Sequence, residues 1–293
     1  YRRGRPRLLP VALALVLALS ALPALVARSA SPGHIYDPTY FPVGITYDSS
    51  NGYLYVADWY SNTISVINPK TNTVIDVISV WGGPRAIAYD PANGMIYIAG
   101  SYSDSVLVLN PQTDSIVANI PVGMFPIAIA YDPANGYLYV ANWESGTVSV
   151  INPQTESVVA TIPVVPYPNA IAYDPANGYL YVTHGYPYLT VIDTYNNSVI
   201  ANIPLPARCV GVTYDPANGL IYTGGDGSGY VFVVDPKNNS VIASIFVGGG
   251  PGPILYDPSN GYLYVAGDPD MVLVLNPQTD SVITNITVGS GPG

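Results

Sequence analysis

The chain has 293 residues, of which 49% are apolar and 10% charged, with a formal net charge of −10. That acid excess repels nucleic acid and anionic lipid. Cys209 is the single cysteine, which excludes an internal disulfide. No CxxCH, CxxC or HExxH motif occurs, so haem attachment, a cysteine zinc site and a zincin have no support.

In chain order, residues 1–30 read as an export signal. Arg2, Arg3, Arg5 and Arg7 form a basic start, residues 8–26 are apolar, and small residues follow at 27–31. An uncleaved membrane anchor is the other reading of this segment, since the apolar run is long enough to span a bilayer. Pro10 and Pro23 interrupt it and favour cleavage. Both readings place the rest of the chain outside the cytoplasm, with membrane contact only through an uncleaved segment or through domains beyond this sequence. Residues 31–40 are a linker. After removal of residues 1–30, four basic residues (Lys70, Arg85, Arg208, Lys237) face nineteen acidic ones, a net charge of about −15. Sequons stand at Asn196, Asn238 and Asn285.

Residues 41–293 repeat. Tyr-Asp pairs recur at Tyr47, Tyr89, Tyr131, Tyr173, Tyr214 and Tyr256, spaced by 41 or 42 residues. A period near 42 with four short strand-like runs predicts an all-β chain, a β-propeller of six four-stranded antiparallel blades. In the third repeat the predicted strands are 127–131 (A), 137–141 (B), 147–151 (C) and 157–162 (D). Between A and B, Asp132-Pro-Ala-Asn-Gly136 is a hairpin loop: proline presets φ, the carboxylate accepts from backbone N–H groups, and glycine supplies positive φ. Each Tyr-Asp pair is therefore read as structural, because six equivalent carboxylates cannot all be catalytic. Its tyrosines suit half-buried strand positions. Cys209 is read as a small buried hydrophobe.

The strand B phrases Tyr55-Val-Ala-Asp58, Tyr139-Val-Ala-Asn142 and Tyr181-Val-Thr-His184, with the downstream Asn-Pro and Gly-x-x-Pro segments, resemble the signature of the YVTN-repeat β-propellers. The resemblance spans residues 41–293. It implies a secreted or surface-layer-type protein of the kind common on archaeal cells, and a relation to lactonase-like and quinoprotein-like propellers. Family propellers have seven blades. The segment Val288-Gly-Ser-Gly-Pro-Gly293 matches Val247-Gly-Gly-Gly-Pro-Gly252, which leads into a strand A. The sequence therefore reads as part of a seven-bladed ring truncated at its C-terminus, with a complete six-bladed ring as the other reading.

Strand order puts the A–B and C–D turns on one face, where the repeats are nearly identical. The B–C loops and D–A linkers lie on the other face, where they diverge and where selection for binding can act. That face holds the candidate site: Trp59, Tyr60, Arg85, Trp143, Glu144, Asn169, His184, Tyr186, Arg208 and Asp226. Trp81, Phe125 and Tyr167 add aromatic surface. Aromatic rings beside carboxylates and amides suit carbohydrate or protein recognition. The expected function is a non-catalytic binding or structural module of the cell surface, with glycans or surface proteins as partners, no nucleic acid and no cofactor. The alternative is a metal-assisted, lactonase-like hydrolase at the channel mouth, with Asp58, His184, Asp226 and Asp268 converging on a cation. Against it, His184 is the only histidine in the repeats, and a lone loop histidine is ordinarily a surface residue. A redox propeller is disfavoured by the missing haem motif.

Overall fold

A computed structural model describes residues 42–267 and 270–288. The predicted export segment, the linker and Asp268 lie outside the described residues. Blade one comprises β1 (Pro42–Asp48), β2 (Tyr53–Asp58), β3 (Thr63–Asn68) and β4 (Thr73–Ser79). Blade two is β5 (Pro84–Asp90), β6 (Met95–Gly100), β7 (Ser105–Asn110) and β8 (Ser115–Pro121). Blade three is β9 (Pro126–Asp132), β10 (Tyr137–Asn142), β11 (Thr147–Asn152) and β12 (Ser157–Pro163). Blade four is β13 (Pro168–Asp174), β14 (Tyr179–His184), β15 (Tyr188–Asp193) and β16 (Ser198–Pro204). Blade five is β17 (Cys209–Asp215), β18 (Leu220–Gly225), β19 (Tyr230–Asp235) and β20 (Ser240–Phe246). Blade six is β21 (Pro251–Asp257), β22 (Tyr262–Gly267), β23 (Met271–Asn276) and β24 (Ser281–Thr287). Each blade is an antiparallel meander. Together they form a six-bladed, all-β propeller. The first strands of successive blades neighbour one another around the centre, and the fourth strands form the rim.

Local turn chemistry sets these strands. In blade three Asp132 Oδ1 accepts from the Ala134 N–H at 2.8 Å, and Gly136 closes the loop at φ 76°. Asn135 Oδ1 accepts from the Tyr137 N–H at 2.8 Å, while its Nδ2 donates to the Tyr139 hydroxyl at 2.9 Å. The same asparagine-to-tyrosine bond recurs in the other blades, as at Asn51–Tyr55 and Asn93–Tyr97. Asn135→Ala removes both bonds beside a buried phenol. It is expected to cost about 1–3 kcal/mol in urea unfolding. Asn135→Asp keeps the acceptor and should fall between. Wild-type stability for the alanine variant would show that the hairpin is held elsewhere.

The core lies between blades. Strand side chains alternate, so each blade has two apolar faces. One face carries the strand B tyrosine, the other aliphatic residues, and each meets the opposite kind on its neighbour. Between blades three and four, Tyr139, Val148 and Val150 pack on Leu180, Val182 and Ile192. Similar clusters fill the junctions from blade one to blade six. The outgoing face of blade six (Tyr264, Val272, Val274) and the incoming face of blade one (Leu54, Val56, Ile67) instead cluster each within its own blade. The tyrosines of the Tyr-Asp pairs are half-buried, as expected, whereas the strand B tyrosines lie deeper: Tyr139, Tyr181 and Tyr222 are wholly enclosed. The neighbouring blade covers them.

A polar link also crosses the junctions. The Tyr131 hydroxyl lies under the influence of the Asp90 carboxylate of the preceding blade. Burial first, and then this carboxylate, raise it to about 12. Tyr214 and Asp174 repeat the link. The Tyr-Asp motif is thus part of the scaffold, with its carboxylates buried at the hairpins.

Candidate functional site

The face of B–C loops and D–A linkers carries a continuous run of seven aromatic rings across blades one to four. Trp59 stacks on Tyr60 at 4.7 Å between centroids and on Tyr102 at 5.6 Å. Tyr102 meets Phe125 edge-on at 6.2 Å, and Phe125 meets Trp143 at 5.8 Å. Trp143 contacts Tyr167 at 4.7 Å, and Tyr167 contacts Tyr186 at 5.9 Å. Tyr60, Tyr102, Tyr167 and Tyr186 remain exposed, whereas Trp59, Phe125 and Trp143 are partly buried.

Two elements per blade build the run. The last residue of the incoming linker pairs with the start of the B–C loop. The Trp143 N–H donates to the Phe125 carbonyl at 2.9 Å, and Gly185 does the same to Tyr167 at 2.8 Å. In blade two the pair is Ser101 on Gly83, at 2.9 Å. This linker position has left-handed backbone in all three blades: φ is 65° at Gly83, 55° at Phe125 and 60° at Tyr167. Glycine takes that conformation without cost, and a bulky aromatic residue does so only under strain. At Gly83 a Cβ would lie 2.5 Å from the Tyr102 ring, because Tyr102 and Trp59 occupy the space themselves. Phe125 is held in place by its N–H, which donates to Asp104 Oδ1 at 2.9 Å.

Arg85, at the start of β5, joins the run. Its guanidinium lies 4.6 Å from the Trp59 centroid and 5.6 Å from that of Phe125, a cation–π arrangement spanning three blades. Burial lowers its pKa. The indole of Trp59 donates to Ser101 Oγ at 3.0 Å. Glu144 is exposed beside Trp143, and Asn169 is partly buried near the start of β13. In blade five an exposed Arg208–Asp226 ion pair stands where blades three and four place Phe125 and Tyr167. Such a pair adds little stability. Trp81 is exposed on the first linker.

The structure therefore brings Trp59, Tyr60, Arg85, Trp143 and Tyr186 together, and sets Arg208 and Asp226 one blade further on. Tyr102, Phe125 and Tyr167 belong to the same run although they stood outside the candidate set. Their signal is present in the linkers: the residue before the inner strand is glycine in two linkers and aromatic in two others.

His184 differs from expectation. It is wholly buried at the end of β14, not displayed on a loop. Its Nε2 lies 2.7 Å from Thr190 Oγ, whose hydroxyl donates to Asn202 Oδ1 at 2.7 Å. Burial lowers its pKa to about 4, and its Nδ1 has no hydrogen-bond partner. Asp58 and Asn142 hold the same strand-end position. Asp58 accepts from Ser65 Oγ at 2.7 Å, and Asn142 donates to Ser149 Oγ at 2.9 Å. Burial raises Asp58, against its hydroxyl donors. Asp58 and His184 are thus internal clasps of separate blades. Among the described residues no three His, Cys, Asp or Glu side chains gather as a cation would need. Cys209 is buried, and burial pushes its thiol up to about 11, which leaves it protonated at neutral pH.

No family model and no curated protein matches the chain. Solved structures do. A chain of hydrazine synthase from Kuenenia stuttgartiensis superposes with a TM-score of 0.76 at 19% identity, covering 90% of this chain and 91% of that one. Virginiamycin B lyase from Staphylococcus aureus superposes with a TM-score of 0.75 at 13% identity, covering 87% of each chain. At these identities the likeness shows the fold alone, and a propeller fold accommodates unrelated functions.

Proposed function

We propose that this chain is an exported, cell-surface β-propeller of the YVTN-repeat kind that acts as a non-catalytic binding module. Its ligand is taken on the face of B–C loops and D–A linkers. The observation that carries this reading is the seven-ring run with Arg85 laid over it. Large aromatic surfaces with a polar handle are the residues on which recognition usually concentrates. They sit where the repeats diverge, not on the face where the repeats are alike. The predicted export segment would bring this face to glycans and proteins outside the cell.

Capture from the extracellular fraction of the producing cells tests the reading, with wild type beside a Trp59→Ala/Trp143→Ala variant of unchanged circular dichroism. A glycan or protein is expected on wild type and at least about tenfold less on the variant. Equal capture by both would remove the proposed face. Hydrolysis of a lactone panel by the purified protein would replace the binding role with an enzymatic one.

A further inference from the structure

We infer that Asn196 and Asn238 are N-glycan acceptors and that the third sequon asparagine, Asn285, is not. The inference rests on the export proposed above, which brings the chain to a glycosylating compartment. All three asparagines are exposed. They differ in backbone. Asn196 and Asn238 lie in the C–D turns of blades four and five. Asn285 lies inside β24, paired with Leu273, and borders a groove lined by Phe246, Met271 and Leu273. A sequon serves as an acceptor on a surface loop. Both turns are on the face opposite the ring run, which a glycan there leaves free.

The turn itself does not call for asparagine. Blades one, two, three and six carry Thr71, Thr113, Thr155 and Thr279 at this position. Each hydroxyl lies 2.7–2.9 Å from that of the residue two further on. The left-handed residue of the turn is the next one, Asn197 or Asn239, with φ of 56° and 52°. Asn197 accepts from the Tyr139 hydroxyl of blade three at 3.1 Å, so it is turned inward while Asn196 faces solvent.

The hydrogen bonds of the two amides fit a loaded asparagine. Asn196 Oδ1 accepts from the hydroxyl of Ser198, the sequon serine, at 2.6 Å, and Asn238 Oδ1 accepts from Ser240 at 2.6 Å. Each Nδ2 donates to one carboxylate, Asp193 or Asp235, at 3.0 Å. Transfer joins Nδ2 to the anomeric carbon of an oligosaccharide carried on a lipid phosphate. The bond from that carbon to the phosphate oxygen breaks, the lipid phosphate leaves with the electron pair, and one Nδ2 proton is released. The amide keeps its Oδ1 and one N–H, so the bonds to serine and aspartate survive. Tyr195 is an independent observation. It is 95% exposed, where every other blade has lysine or glutamine. A first sugar on Asn196 has this ring beside it, an apolar face on which its C–H groups can rest.

Peptide mass spectrometry of the full chain, taken from the extracellular fraction of the producing cells, makes the test. A sugar mass is expected on Asn196 and on Asn238, with Asn285 bare. Asn196→Gln and Asn238→Gln should each remove one such mass. Ser198→Ala should leave Asn196 bare and Ser198→Thr should keep it loaded, which separates enzymatic transfer from chemical glycation. Bare Asn196 and Asn238 on an extracellular chain would overturn the assignment while leaving export in place. Sugar on Asn285 with none on the turns would do the same. A chain found only inside the cells, and bare, would remove export and the acceptor role together.

Discussion

Above pH 10 the protein is expected to lose its phenolic protons and its fold in one cooperative step. Tyr55, Tyr97, Tyr139 and Tyr222 are at most 1% exposed, and each is pushed up to about 12, burial being the first cause. Tyr181 is raised further. The asparagine of each hairpin donates to the phenol and favours its ionised form, but burial outweighs it. The folded-state values lie above the unfolded one. Their stabilising contribution is therefore complete below pH 10 and is lost as pH rises toward 12. A shift of this size corresponds to about 3 kcal/mol per ring. Four such rings together rival a whole folding free energy of about 5–15 kcal/mol. Phenolate absorbance and circular dichroism, followed against pH, should change together over a narrow interval. Gradual absorbance with intact dichroism would show that the rings titrate inside the fold. Tyr139→Phe removes one titrating group and should move the alkaline midpoint upward, despite a small loss at neutral pH from the hydrogen bonds given up.

The strands were legible because their determinants are local. Proline, asparagine and glycine at fixed offsets mark the hairpins, and two-residue alternation marks the runs between them. In blade three the predicted strands differ from β9 to β12 by a residue at their ends. The depth of the tyrosines was not legible. Tyr137 and Tyr139 point to the same face of one strand, yet Tyr139 is enclosed and Tyr137 only partly so. The neighbouring blade decides the difference, through residues some 42 positions away.

The site divides in the same manner. Trp59, Trp143 and Tyr186 stood out as bulky residues in divergent loops. That they form one surface depends on Phe125 and Tyr167, which bridge from one blade to the next through a backbone conformation that the sequence does not display. Asp58, Asn142 and His184 follow the last strand B aliphatics and read as loop residues. Their partners lie on the next strand, such as Thr147 and Ser149 for Asn142. This cross-strand register turns the three side chains inward.

That shared position makes His184 the acid-sensitive point of the fold. Its pKa falls from 6.5 to about 4, with burial as the first cause. Between those values the unfolded chain binds a proton that the folded chain refuses, so stability falls as pH drops through this window. The loss is about 3 kcal/mol. The raised carboxylates act in the opposite sense. Asp58, in the same place in blade one, binds its proton more readily when folded and gains stability on acidification. Wild type alone would show only the balance. His184→Asn isolates the histidine, since blade three already carries Asn142 at this position, bonded to hydroxyls of the next strand. Urea unfolding of both proteins at neutral pH and near pH 4.5 should show the difference in stability shifting toward the variant by roughly 2–3 kcal/mol on acidification. Parallel curves for the two proteins would mean that His184 is protonated within the fold. The clasp to Thr190 would then have to accommodate an imidazolium.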